Sequence, residues 1–78
     1  MVTREQVRMA RAALHWTGKK LSQECGISEQ SINKYENGGD AYGKTLMTIR
    51  RTFEDNGIVF IDEDETYGPG VRLRRRRL

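Results

Sequence analysis

The sequence has few of the residues from which a covalent framework or a metal centre is built. It contains one cysteine, Cys25, one histidine, His15, and one proline, Pro69. A single cysteine excludes a disulfide within the chain and any cysteine-rich metal motif. The sequence shows no nucleophile beside a base, no paired catalytic acids and no phosphate-binding loop. It therefore predicts no enzyme, no cofactor and no metal site.

Long apolar runs are also missing. No stretch approaches the length that spans a bilayer, and the first residues lack the apolar segment of a signal peptide. Together with the unpaired cysteine, these absences predict a protein of the cytoplasm. With 78 residues the chain suits one small domain, whose core would gain stability from a partner chain.

Charge is abundant and is arranged in three blocks. Residues 1–53 hold nine Lys or Arg against five Asp or Glu, residues 54–65 hold six acids and no base, and residues 71–78 hold five arginines and no acid. Basic blocks favour polyanions such as DNA, RNA or an anionic membrane surface. Ordinary solvated surface charge is the alternative, and binding to a membrane surface normally needs an apolar face that the basic tail lacks.

Four segments repeat apolar residues at helical spacing. Thr3 and Gln6 are spaced as a capping box at the start of the first segment. The arginines of this segment are expected on the solvent face: Arg4, Arg8 and Arg11. The four predicted helices cover about residues 3–15, 18–25, 29–36 and 45–55.

The C-terminal part of the chain has strand character instead. Residues 58–61 are all apolar and β-branched or aromatic, residues 71–74 alternate, and an acidic connector joins them. A lone hairpin is marginal in water, and a strand that is apolar at every position needs cover on both faces. We therefore expect a second chain to cover it, through Ile58, Val59, Phe60, Ile61, Val71 and Leu73.

Residues 18–37 meet the demands of a helix-turn-helix, in which two short helices join at a steep angle through a tight turn. Ser22 is small where the helices would cross, Gly26 opens the turn and Ile27 anchors it. The inward positions are filled by Leu21, Cys25, Ile32 and Tyr35. The alternative is a helical hairpin with this spacing by accident.

This motif, with Glu5-Gln6-Val7, Arg11, Leu14, Trp16 and Glu36-Asn37-Gly38, resembles the lambda-repressor-like family of helix-turn-helix proteins, also called xenobiotic-response-element or Cro-type regulators. The resemblance covers about residues 3–56. The ending, residues 57–62 and 68–74, is similar to that of short bacterial regulators often encoded on phages, plasmids and integrative elements. The resemblance implies a mainly α fold, a bundle of four to five helices followed by a short β-hairpin or by dimer strands.

The resemblance also implies that residues 28–36 lie in the major groove of DNA. The residues expected to contact bases are Glu29, Gln30, Ser31, Asn33 and Lys34. By residue chemistry Gln30 suits adenine, Lys34 suits guanine and Glu29 suits cytosine. The residues expected to contact phosphates are Thr17, Lys19, Lys20, Ser28, Asn37 and Lys44. For each of them the alternative is a solvated surface residue.

One departure from the family pattern affects the phosphate contacts. The family usually has a glutamine where this chain has Gly18, and that glutamine touches a phosphate and braces the recognition helix. Thr17, Lys19 or Lys20 are the candidates to replace it. Trp16 and Tyr35 are expected in the core rather than stacked on bases, because their spacing matches apolar positions.

The sequence as a whole predicts a DNA-binding domain over residues 1–56 and a dimerisation segment with an arginine tail over residues 57–78. The predicted function is a homodimeric, sequence-specific regulator of transcription on a pseudo-palindromic duplex site, in the cytoplasm at the bacterial nucleoid. The alternative is a protein-interaction module, such as an antitoxin or an anti-activator, that uses the same fold to hold a protein partner.

The arginine tail allows three interpretations: it is inert, it contacts phosphates, or it neutralises the acidic residues 62–65. Deletion of residues 74–78 separates the second interpretation from the others. Loss of phosphate contacts makes DNA affinity fall less steeply as salt rises, whereas an unchanged salt dependence excludes direct contact by the tail.

Overall fold

The computed structural model describes residues 2–75, so Arg76, Arg77 and Leu78 of the predicted tail lie outside the described residues. Four helices precede an antiparallel hairpin, which confirms the mainly helical class with C-terminal strands. The elements are α1 (Arg4–Leu14), α2 (Gly18–Cys25), α3 (Glu29–Glu36), α4 (Gly43–Asp55), β1 (Ile58–Ile61) and β2 (Gly70–Leu73).

Side-chain caps explain where the first three helices begin. The hydroxyl of Thr3 accepts the backbone N–H of Gln6 at 3.2 Å, and the Gln6 side chain accepts the N–H of Thr3 at 3.0 Å, which confirms the capping box. The hydroxyls of Thr17 and Ser28 cap α2 and α3 by accepting the N–H groups of Lys20 and Ser31, without the return bond of a capping box. The fourth helix begins two residues earlier than predicted because its N-cap, Tyr42, makes no side-chain cap bond that the sequence could signal.

The turn between α2 and α3 depends on Gly26, whose φ of 77° is costly for any residue with a Cβ. Its N–H donates to the carbonyl of Ser22 at 2.9 Å, and the Ser22 hydroxyl donates to the carbonyl of Ile27 at 2.6 Å. The small polar side chain of Ser22 thus binds the turn to the helix that precedes it.

The core is centred on Phe53 of α4, which is fully buried. Trp16 stacks on it with ring centroids 5.7 Å apart, and Phe60 of β1 meets it edge-on at 6.2 Å. Trp16 and Tyr35 therefore pack with the core, as predicted. Ile58 belongs to the same core and is 1% exposed, so its side chain is buried within its own chain.

The hairpin pairs β1 with β2 from Ile58 opposite Leu73 to Ile61 opposite Gly70. Buried Gln6 of α1 ties its closed end to the helices, because the side-chain amide donates to the carbonyls of Ile61 and Gly70, each at 3.0 Å. One glutamine therefore caps α1 and holds the hairpin.

Replacing Gln6 by Leu should lower the free energy of unfolding by about 1–3 kcal/mol, because it leaves polar groups without partners in a buried place. Urea denaturation measures this loss. Glu5→Gln on the exposed face of the same turn is the matched control and should change the value by less than about 0.5 kcal/mol. Equal stability of the two variants would show that Gln6 does not hold the hairpin.

Candidate nucleic-acid interface

Helix α3 presents a continuous polar face to solvent. Ile32, Tyr35 and Glu36 are between 1% and 8% exposed and fix the opposite face on the body of the protein. The five residues predicted to contact bases, Glu29, Gln30, Ser31, Asn33 and Lys34, are all exposed. A ligand approaching α3 would therefore meet polar side chains only.

The start of α3 is fixed by two serines. The hydroxyl of Ser28 accepts the backbone N–H of Ser31 at 3.1 Å, and the two hydroxyls lie 2.8 Å apart in a hydrogen bond. One hydroxyl proton of this pair is therefore used within the protein, and the other remains for an external acceptor.

The end of α3 is closed by a two-glycine turn. Gly38 has a φ of 103° and donates to the carbonyl of Tyr35 at 3.1 Å, while Gly39 donates to the carbonyl of Lys34 at 2.8 Å. These two bonds form the Schellman arrangement that ends many helices. A Cβ at Gly39 would lie 2.6 Å from Cγ of Lys34, so only glycine lets the loop pass beneath the Lys34 side chain.

Three arginines of α1 hold this same end of α3. Arg4 donates to the carbonyls of Tyr35 at 2.9 Å and of Gly39 at 3.2 Å, and Arg8 donates to the carbonyl of Glu36. Arg8 is exposed, as predicted, whereas Arg4 and Arg11 are half-buried, because their guanidinium groups satisfy carbonyls and a carboxylate at the end of α3. Cations there also complement the negative end of the helix dipole.

The third arginine forms an ion pair with Glu36 that is mostly out of solvent. Arg11 Nε lies 2.8 Å from Oε2 of Glu36, and Arg11 Nη2 lies 2.6 Å from its Oε1. The Glu36 side chain is 8% exposed and that of Arg11 is 24% exposed. The hydrogen bonds that Arg11 donates to the Glu36 carboxylate raise the pKa of Arg11 above its usual value, although partial burial acts to lower it. This pair fixes α3 to α1 at one defined angle.

The start of α2 lies beside α3 and carries the next group of predicted contacts. A Cβ on Gly18 would lie 3.3 Å from Oδ1 of Asn33, so the space beside residue 18 is taken by a residue of α3. Lys19 is exposed and forms no ion pair with any residue from 2 to 75. Lys20 instead lies 2.9 Å from Glu24, so it would have to leave that carboxylate to reach a phosphate.

The remaining predicted phosphate contacts are also on the surface. Thr17, Asn37 and Lys44 are exposed, and the Thr17 hydroxyl accepts the N–H of Lys20 at 3.0 Å. The residues predicted to contact phosphates therefore lie at the starts of α2, α3 and α4 and at the end of α3.

An open depression of about 340 Å³ adjoins α3 and includes a residue that the sequence analysis missed. Tyr42, at the start of α4, is 86% exposed and lines it together with Ser31 and Lys34. The only signal in the sequence was an aromatic residue in a loop, outside any apolar repeat.

Cys25 was predicted at an inward position of α2. It packs against the core and is half-buried, and burial raises the pKa of its thiol. A raised pKa lowers the thiolate fraction at neutral pH, which reduces reactivity.

Two short helices joined through a left-handed glycine, with the second helix exposed along one polar face, define a helix-turn-helix protein. The comparisons agree with this class. The helix-turn-helix family model matches residues 7–51, more than half of the chain, and the chain belongs to this lambda-repressor-like family. It is a DNA-binding regulator of the xenobiotic-response-element type.

No curated protein matches the chain. Over the part of the chain that the structure describes, no helix has the length and apolar character needed to cross a membrane.

Glu36→Gln should lower the free energy of unfolding by about 2 kcal/mol, because it leaves the Arg11 guanidinium partly buried without its carboxylate. Urea denaturation again gives the measurement. Glu29→Gln, on the exposed face of the same helix, is the control and should stay within about 0.5 kcal/mol of the parent. A Glu36→Gln variant as stable as the control would contradict the importance of this ion pair.

Proposed function

We propose that this chain binds a specific pseudo-palindromic site on duplex DNA as a homodimer and regulates transcription there, in the bacterial cytoplasm at the nucleoid and on a mobile genetic element. The observation that carries the proposal is the geometry of α3. Its polar residues are exposed together, and its other face is held by the core and by three arginines. A rigidly held helix with a polar outer face suits the major groove.

The side chains of α3 have the chemistry for base recognition. Gln30 can bond both exposed groups of adenine, Lys34 can donate to guanine, and Glu29 can accept from cytosine. Ser31 and Asn33 complete the set. Asn33 leans towards Gly18, which directs it to the side of the helix next to α2.

Phosphate contacts would set the position of α3 in the groove without selecting the sequence. The proposed contacts are Thr17, Lys19, Lys20, Ser28, Asn37 and Lys44. Thr17, Ser28 and Lys44 are at helix N-termini, where backbone N–H groups and the helix dipole favour phosphate oxygens. Because Gly18 offers no side chain, Thr17 and Lys19 are the nearest replacements for the usual glutamine.

The proposed homodimer would use the outer face of the hairpin. Val59 and Ile61 are 42% and 40% exposed there, and Leu73 is 42% exposed at the open end of the hairpin. Phe60 and Val71 are partly covered by their own core and would contribute less. A two-fold axis through this segment would present two copies of α3 to an inverted repeat.

The same apolar face supports the alternative, a module that holds a different protein in the manner of an antitoxin or an anti-activator. Purification of the chain with another protein in a fixed stoichiometric ratio would favour this alternative. A single type of chain in the purified complex favours the homodimer.

Selection of bound sequences from random duplex DNA tests the proposed function directly. We expect one enriched site with two inverted half-sites, their centres about one helical turn or a multiple of it apart. Recovery of unrelated sequences would refute sequence-specific binding.

Single substitutions on the selected site should separate base contacts from phosphate contacts. Gln30→Ala and Lys34→Ala should each cost about 1–3 kcal/mol of binding and relax selectivity at one base pair. Lys19→Ala should weaken binding to all sequences alike and lower the slope against log salt by about one.

Titrations of matched and mismatched duplexes at several salt concentrations give these quantities. Arg51→Ala, which removes an exposed arginine from α4, is the control for loss of positive charge. If Gln30→Ala and Lys34→Ala kept the parent's preference at every base pair, the assignment of α3 to base contacts would be wrong.

A further inference from the structure

Tyr42 places an aromatic ring in solvent beside the polar face of α3. It is the N-cap residue of α4, but its side chain makes no capping hydrogen bond, and it is 86% exposed and lies outside the hydrophobic core. Packing and helix capping therefore do not account for a large aromatic side chain at this position. Contact of the ring with a ligand would be favourable, because most of its apolar surface is still in water.

The depression that Tyr42 lines is continuous with the residues proposed to contact bases, since Ser31 and Lys34 of α3 border it as well. The aliphatic stem of Lys34 lies over Gly39, because a Cβ on Gly39 would be 3.2 Å from Cε of Lys34. This contact keeps the stem at the rim of the depression. A ligand that reaches Lys34 therefore also comes close to the ring of Tyr42.

The charges around the depression favour a neutral group over a phosphate. Lys34 supplies a positive charge and Asp40 a negative charge, and neither forms an ion pair with any residue from 2 to 75. A phosphate at this place would be repelled by the carboxylate of Asp40, which would offset its attraction to Lys34. Ala41 and the ring of Tyr42 add apolar surface. The depression therefore suits an uncharged and partly apolar group.

The major groove of duplex DNA offers one group of this kind. Among the four ordinary bases, only thymine presents a methyl group there, at C5 and next to its O4 acceptor. Contact of an apolar side chain with this methyl group is a recognised form of base readout. A depression of about 340 Å³ has room for the edge of one base, because cavities of about 300 Å³ already hold whole small molecules.

We propose that Tyr42 determines part of the DNA specificity, because its ring contacts the C5 methyl group of a thymine in the major groove. This thymine lies next to the base pair that Lys34 contacts, since both side chains border one depression. The inference rests on the DNA binding proposed above and adds to it a base contact from outside α3. Each half-site is thereby longer than the part that α3 contacts.

Removal of single methyl groups from the selected DNA site tests this contact without changing any hydrogen-bonding group of the DNA. Each thymine of the site is replaced in turn by deoxyuridine, which lacks only the C5 methyl group. For the parent protein we expect one position in each half-site where the replacement weakens binding about threefold to fivefold, as for the burial of one methyl group. This position should adjoin the base pair at which Lys34→Ala relaxes selectivity.

Three variants show whether the ring of Tyr42 makes the contact. Tyr42→Ala should bind the thymine and deoxyuridine duplexes equally well at that position, because the methyl group then has no partner. Tyr42→Phe keeps the ring and should keep the parent's preference for thymine. Tyr67→Ala is the matched control and should also keep this preference, because it removes a ring that is 73% exposed but lies outside the depression.

Both Tyr42 variants should unfold at the same urea concentration as the parent, since the side chain is exposed and caps no helix. The proposal is overturned if deoxyuridine weakens binding of Tyr42→Ala as much as binding of the parent. It is also overturned if Tyr42→Phe and Tyr42→Ala lose the same affinity for every sequence, because that result assigns the hydroxyl to a phosphate.

The DNA selection separates this inference from the proposed function. An enriched site that has no methyl-sensitive thymine next to the Lys34 base pair would refute the Tyr42 contact and leave the proposed function in place. Recovery of unrelated sequences would refute the proposed function and the base contact with it.

Discussion

The ion pair between Arg11 and Glu36 is the interaction on which the rest of the structure depends. It joins the last part of α1 to the last residue of α3 through two hydrogen bonds of 2.8 and 2.6 Å in a largely buried place. A buried ion pair gains little net stability compared with apolar packing, but it tolerates very few geometries. Its main effect here is to fix the angle at which α3 leaves the body, and that angle decides whether the polar face of α3 can enter a groove.

The rest of the framework supports α3 from several directions. Gly26 turns the chain into α3, Ser28 fixes its start, and Gly38 with Gly39 closes its end. Arg4 and Arg8 of α1 donate hydrogen bonds to carbonyls at that end. Since both ends of α3 are capped, the exposed side chains between them are held in place and can be used for binding.

The hairpin belongs to the same folded unit as the helices. Ile58 and Phe60 reach the core around Phe53, and Gln6 holds the closed end from α1. What remains exposed on the outer face of β1 is apolar, at Val59 and Ile61. The position of the helix-turn-helix is thereby linked to the segment proposed to join two chains, so the spacing of two α3 helices would be set by the sheet and not by a flexible connection.

The sequence by itself determined the elements and the class of the protein. Capping residues, the glycine at position 26 and apolar spacing are local signals, and they placed α1, α2, α3 and β1 within a residue or so. The start of α4 was predicted two residues too late, because Tyr42 gives no capping signal. Only the tertiary structure decided what the arginines of α1 do, that Gln6 binds the hairpin, that Ile58 is internal and that Tyr42 is exposed beside Lys34. These facts depend on which distant carbonyl, carboxylate or apolar surface a side chain meets, and spacing along the chain does not encode that.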